Sequence, residues 1–244
     1  MTCTSAICQT NRHSQAKDGF SIGWFTYLSN KQEVKPYFEQ RPDVNVSSVG
    51  IISYAGKIEY NRMLNENLEM SIGAMSGAYP FDFHISFDSS FSIFERSLDY
   101  YTFDRYSTNY VGVNLGIRYF INLSERQYLS ARLNLNYIFF ITQYDYDFSI
   151  TDQSDKGVFR FFVSTFETNK EEKGFFAPEV SFGYHYKLGK YFIPYFSFNG
   201  VYSKNYPIDG IGFILQGKSD TLQGTFRRRF LHAGVEVGVK VNLP

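Results

Sequence analysis

The stretch that decides the fold is RRRFLHAGVEVGVKVNL, residues 227–243. Taken two residues at a time, one side reads Arg227, Arg229, Leu231, Ala233, Val235, Val237, Val239, Val241, Leu243. The other reads Arg228, Phe230, His232, Gly234, Glu236, Gly238, Lys240, Asn242. After its basic start the first side is wholly apolar, and the second is polar or small apart from Phe230. Side chains alternate with a period of two only in a β-strand; a helix would mix the two sets on every face.

Seven segments upstream repeat the pattern: residues 20–28, 49–60, 68–79, 106–120, 128–141, 175–187 and 191–203. Only the first and third leave open which face is which. Between the eight segments, connections alternate in length. Residues 61–67, 121–127 and 188–190 make short ones, and residues 29–48, 80–105, 142–173 and 204–224 make long ones. Both termini therefore fall at the short-turn end. That plan predicts an all-β fold: an eight-stranded antiparallel up-and-down transmembrane β-barrel, with short periplasmic turns and four long extracellular loops. Residues 84–94 also alternate, so parts of the long loops are expected to be strand-like.

Composition narrows the function classes. The 244 residues carry 24 Lys plus Arg against 24 Asp plus Glu, a zero formal charge that argues against a nucleic-acid binder. The two cysteines, Cys3 and Cys8, cannot staple the body of the chain. Charge-free stretches reach 13 residues, as in 44–56 and 191–203, short of the about 20 that a spanning helix needs. A spanning strand needs only about 9–11.

In a membrane barrel the apolar sides face lipid and the polar sides fill the interior. The polar sides here hold Lys57, Glu59, Glu69, Arg118, Arg132, Glu179, Glu236 and Lys240, with Asn114, Asn134, Asn136 and His185. Four bases and four acids suit a neutral lumen network, since buried charge is tolerable only when paired. A soluble, lipocalin-like carrier of a lipid or small apolar ligand would turn the same sheet the other way, with the charges in water. The aromatic residues, 19% of the chain, favour the membrane. Tyr101, Tyr106, Tyr110, Tyr119, Phe120, Tyr128, Tyr137, Tyr184, Tyr186, Tyr191 and Phe192 fall near expected strand ends, where interfacial rings sit.

The runs 110–120 (YVGVNLGIRYF), 179–191 (EVSFGYHYKLGKY) and 234–243 (GVEVGVKVNL) resemble the small, porin-like outer-membrane β-barrel domain proteins of the Bacteroidota. The likeness covers residues 19–243. It implies a barrel domain over 19–244, the bacterial outer membrane as location, outer-membrane lipids, lipopolysaccharide and the barrel-assembly machinery as partners, and an unidentified surface partner met by a monomer. The chain departs from the wider class by ending in Asn242, Leu243 and Pro244 rather than an aromatic residue. Residues 1–18 hold no apolar signal core. Residues 4–9 (TSAICQ) read either as the remnant of a secretory signal peptide or as part of a chain without one.

No nucleotide-binding, metalloprotease or nucleophile-elbow motif occurs, so no catalytic, cofactor or metal residues are expected. An outer-membrane lipid-modifying enzyme is a second alternative. Ser181 and His185 share a face about 13 Å apart, too far to touch. His232 could meet Ser203 or Asp209 near the outer rim. Arg227, Arg228 and Arg229 are candidate contacts for anionic lipid or lipopolysaccharide phosphate. The second and third long loops are acidic.

Overall fold

In the computed structural model, the described residues are 18–29, 33–36, 44–47, 52–81, 84–89, 98–101, 106–141, 148–154, 157–164, 174–204, 208–216 and 221–243. They form strands β1 (Asp18–Ser29), β2 (Glu33–Pro36), β3 (Val44–Ser47), β4 (Ile52–Met63), β5 (Leu68–Phe81), β6 (His84–Phe87), β7 (Leu98–Tyr101) and β8 (Tyr106–Asn122). They continue with β9 (Gln127–Phe140), β10 (Phe148–Ser154), β11 (Gly157–Ser164), β12 (Phe175–Tyr186), β13 (Phe192–Tyr202), β14 (Ile208–Gln216), β15 (Thr221–Arg228) and β16 (Leu231–Asn242). The expected segments 1–17 and 90–94, and the start of the second expected strand at 49–51, lie outside the described residues.

Eight of these strands close a barrel in the order β1-β16-β13-β12-β9-β8-β5-β4, every pair antiparallel. Closure joins the first and last barrel strands, with Phe20 opposite Val241 and Trp24 opposite Val237. The amide of Leu243 donates to the Asp18 carbonyl at 2.9 Å, which finishes this seam, and on the other edge of β16 the amide of Asn242 donates to the Tyr191 carbonyl at 2.8 Å. A closed ladder leaves no strand edge to be satisfied by solvent, the condition for crossing a bilayer.

The short connections are tight turns. Asn65 Oδ1 accepts from the amides of Asn67 (2.9 Å) and Leu68 (2.8 Å). Ser124 Oγ accepts from the Arg126 amide at 3.3 Å, and Gly189 takes a φ of 71° that favours glycine. Each long connection carries two further strands. These assemble into a five-stranded sheet, β10-β11-β14-β15-β2, and a three-stranded sheet, β3-β6-β7. Residues 84–87 do alternate as a strand, in the three-stranded sheet.

Burial alternates as the pattern demands, strictly so in β9 and β12. The lipid-facing belt includes Ile22, Trp24, Ile58, Ile72, Val113, Leu133, Phe182, Phe198 and Val237, all more than half exposed. The two strands of open phase are now assigned. In β1, Phe20, Ile22, Trp24 and Leu28 point out while Ser21, Gly23, Phe25 and Tyr27 point in; in β5, Glu69, Ser71, Met75 and Tyr79 point in. The soluble carrier would need the opposite arrangement.

Two expectations are corrected. The last strand does not run from 227: β15 ends at Arg228, residues 229–230 break the ladder, and β16 starts at Leu231. Nor do all the end-of-strand aromatics form an interfacial girdle. Tyr119, Tyr184, Tyr191 and Phe192 face outward, but Tyr110 and Tyr128 are turned into the lumen. The side chains of Tyr101 and Tyr106 lie outside those described.

Candidate functional site

All eight charged residues assigned to the polar faces are buried inside the barrel, with relative exposures of 0% (Glu69) to 5% (Lys240). They come from six strands and meet across the lumen. Arg132 of β9 grips Glu59 of β4 with both guanidinium ends: Nη1 donates to Oε2 at 2.9 Å and Nη2 donates to Oε1. The same Nη2 donates to Ser71 Oγ at 2.9 Å and to Asn134 Oδ1 at 3.1 Å. Such two-pronged pairs fix geometry as well as charge.

Lys57 Nζ sits among three carboxylates, 3.5 Å from Glu59, 3.7 Å from Glu179 on β12 and 3.5 Å from Glu236 on β16. It also lies 4.4 Å from the centroid of the Phe25 ring. Neutral donors complete the carboxylates. Tyr195 Oη donates to Glu236 at 2.7 Å, and Asn136 Nδ2 to Glu179 at 3.1 Å. Nearer the turns, Glu69 of β5 accepts from Arg118 Nη1 of β8 at 2.9 Å and from Lys240 Nζ of β16.

Towards the loops the lumen changes character. Phe25, Tyr27, Tyr79, Tyr110, Phe175 and Phe230 are almost fully buried there. Phe230 stacks on Tyr79 at 5.4 Å and packs edge-on against Tyr110 at 5.6 Å and Phe175 at 5.3 Å. The Tyr79 hydroxyl donates to the Arg229 carbonyl at 2.6 Å, so the residue pair that interrupts the last strand also caps the barrel. The sequence held one sign of this plug, the lone Phe230 on a wet face.

The interior is thus an ion-pair belt below an aromatic seal, which is what an eight-stranded lumen has room for. Its chemistry is cohesive: it pairs charge across the lumen. The pairs weighed for catalysis behave differently from one another. Ser181 and His185 both face inward, but the ring partner of His185 is Ser130, with Nε2 2.8 Å from Oγ. His232 is inside the plug, 4.3 Å from the Phe230 ring and 5.0 Å from that of Tyr27. Ser203 Oγ donates to the Phe176 carbonyl at 3.0 Å, and the Asp209 side chain lies outside those described. Among the described residues no group of three or more His, Cys, Asp or Glu could hold a metal. Of the three arginines, Arg227 and Arg228 end β15 in the outer sheet, opposite Asp209 and Ile208 of β14, and Arg229 lies in the break.

No protein-family model matches the chain, and no curated protein matches it. Solved structures do resemble it in outline. The outer membrane protein OprG from Pseudomonas aeruginosa aligns at 11% identity and a TM-score of 0.46 over 94% of this chain and 98% of that one. Neisserial surface protein A aligns at 10% identity and 0.41, over 93% and 96%. The outer membrane protein AlkL aligns at 13% identity and 0.36, over 92% and 90%. The fold rests on the chain's own strand pairing: a closed, eight-stranded antiparallel barrel of the outer-membrane type, apolar without and charged within.

Proposed function

We propose that the chain is an integral protein of a bacterial outer membrane, whose filled barrel anchors a surface built by its four long connections. Its role on this reading is structural or interactive at the cell surface, not that of a wide pore. The observation that carries the reading is the inversion of polarity: four acids and four bases paired inside a belt of exposed Ile, Leu, Val, Phe and Trp. A charged lumen crossed by Arg132 and Lys57 and capped by Phe230 leaves no room for a broad aqueous path.

The finer parts follow from the same picture. The outer ends of the strands lead into two sheets that face the medium and offer the docking surface for a partner. Arg227, Arg228 and Arg229 lie where β15 gives way to β16, and on this reading they would contact anionic lipid or lipopolysaccharide phosphate. The regular alternation of β16 is the feature the barrel-assembly machinery would read. A monomer suffices, because closure satisfies every barrel edge. The likeness of the three quoted runs to Bacteroidota barrels supports that lineage.

The test is gel mobility of the chain refolded in detergent micelles, with and without boiling. A fast unboiled band that slows on boiling is expected. The variant Val237→Arg places a charge on the lipid face and is expected to lose about 2–4 kcal/mol near mid-bilayer. Its recovery in membranes at normal yield and heat stability would sink the reading.

A further inference from the structure

The outer three-stranded sheet sorts its residues by face. Val44, Ile85 and Phe87 are buried on one side. Asn45, Ser47, His84, Ser86 and Asp99 alternate to the other, as the register requires: Ser47 is opposite His84, and Ser86 is opposite both Asn45 and Asp99. On this polar face, Ser47 Oγ lies 3.3 Å from His84 Nδ1, and His84 Nε2 is hydrogen-bonded to a carboxylate oxygen of Asp99. A hydroxyl, an imidazole and a carboxylate are thereby joined in series across three adjacent strands.

We infer that Ser47, His84 and Asp99 form a nucleophilic site on the outer sheet that hydrolyses carboxylic esters. The carboxylate fixes the ring as the Nε2–H tautomer, which leaves the Nδ1 lone pair facing the hydroxyl. The roles of the two ring nitrogens are reversed from the best-known serine hydrolases, but the logic of base and orienting group is the same. Both ring nitrogens are engaged, one on each neighbouring strand.

The step balances without any further reagent. Ser47 Oγ bonds to the ester carbonyl carbon as its proton passes to His84 Nδ1. The tetrahedral adduct collapses, the carbon–alkoxide bond breaks, and the alcohol leaves with that proton. Water then attacks the acyl-serine, giving a proton to Nδ1; the proton returns to Ser47 Oγ as the carboxylic acid departs. Esters fit better than amides. The Asp99 side chain is 60% exposed, so water dilutes its support of the imidazolium, and an alkoxide leaves with less help than an amine.

The test uses the full chain refolded in micelles, with a fluorophosphonate probe and p-nitrophenyl acetate. The expected result is one phosphonyl group, placed on Ser47 by peptide mass, and ester turnover that Ser47→Ala abolishes. His84→Gln should slow labelling by roughly 100-fold or more. Asp99→Asn, which preserves shape, should slow it by about fivefold. Heat-modified mobility of each variant reports separately on the barrel, so failure here leaves the membrane reading standing. A folded barrel with no label on Ser47 overturns the inference, as does labelling that proceeds equally fast in His84→Gln and Asp99→Asn.

Discussion

Lys57 is the residue whose removal most directly tests the lumen. Lys57→Met keeps the side chain's length and its packing on Phe25 but deletes the ammonium that faces Glu59, Glu179 and Glu236 at 3.5, 3.7 and 3.5 Å. Breaking a buried pair by removing one partner costs about 3–5 kcal/mol, because the other charge is left without compensation. Here each orphaned carboxylate keeps another donor: Arg132 for Glu59, Asn136 for Glu179, Tyr195 for Glu236. The expected loss therefore lies at the low end, about 3 kcal/mol. The assay is urea unfolding in phospholipid vesicles, followed by fluorescence of Trp24, the chain's single tryptophan, which faces lipid. Adding Glu236→Gln removes one surplus negative charge while leaving an oxygen for Tyr195, and should restore more than half of the loss. Two results would refute the reasoning. One is a Lys57→Met barrel as stable as the parent. The other is a double variant no better than the single one, which would trace the loss to packing rather than charge.

Two glycines of the β13–β16 region should separate sharply. A Cβ on Gly234 would come 2.2 Å from the Thr26 carbonyl oxygen across the closing seam, whereas one on Gly200 would meet nothing within 4 Å. Gly234→Ala should cost about 1–3 kcal/mol in the same unfolding assay and Gly200→Ala close to nothing; equal effects would contradict the tight seam. The arginine reading is checked by replacing Arg227, Arg228 and Arg229 together with Ala. Binding of lipopolysaccharide to the refolded chain should weaken at low salt, and the difference from the parent should shrink as salt rises. Undiminished binding would remove these residues from the contact.

What the sequence made legible followed from period-two alternation and from charge. All eight lumen charges face inward, seven of them on strands whose phase the alternation assigned and Glu69 on β5, whose phase it left open, because a charge on the lipid side of a strand is too costly to occur casually. Where charge was lacking, the pattern fell silent. β1 carries none at its inward positions, and aromatic residues occupy both of its sides, Trp24 outward and Phe25 and Tyr27 inward. The same ambiguity hid the aromatic plug: a tyrosine near a strand end serves an interface or a lumen equally well, and only closure decides that Tyr110 turns in. The break at residues 229–230 was invisible because RRRF keeps the phase of the strand that follows. The site on the outer sheet was out of reach for another reason. Ser47 and His84 are 37 residues apart and His84 and Asp99 are 15 apart, joined by a pairing of short strands that no local pattern announces.

The lumen charges also explain why this barrel has one register. Lipid tails are as apolar as the outer belt, so the belt alone gives little preference for one strand alignment over another. A slip by one residue exchanges the faces of the whole strand. For β9 it would carry Arg132 to the lipid side, at about 2–4 kcal/mol near mid-bilayer, and break its two hydrogen bonds to Glu59 across the lumen. The same holds for β4, β5, β8, β12 and β16, each of which contributes at least one inward charge. Only β1 and β13 have none, and they are the two strands that flank β16. Their alignment is set instead by hydrogen bonds to the charges of others: Ser21 Oγ to Glu59 at 3.3 Å, and Tyr195 Oη to Glu236 at 2.7 Å. The ion pairs thus fix six strands directly and lend their register to the remaining two, which places the weakest specification at the seam where the barrel closes.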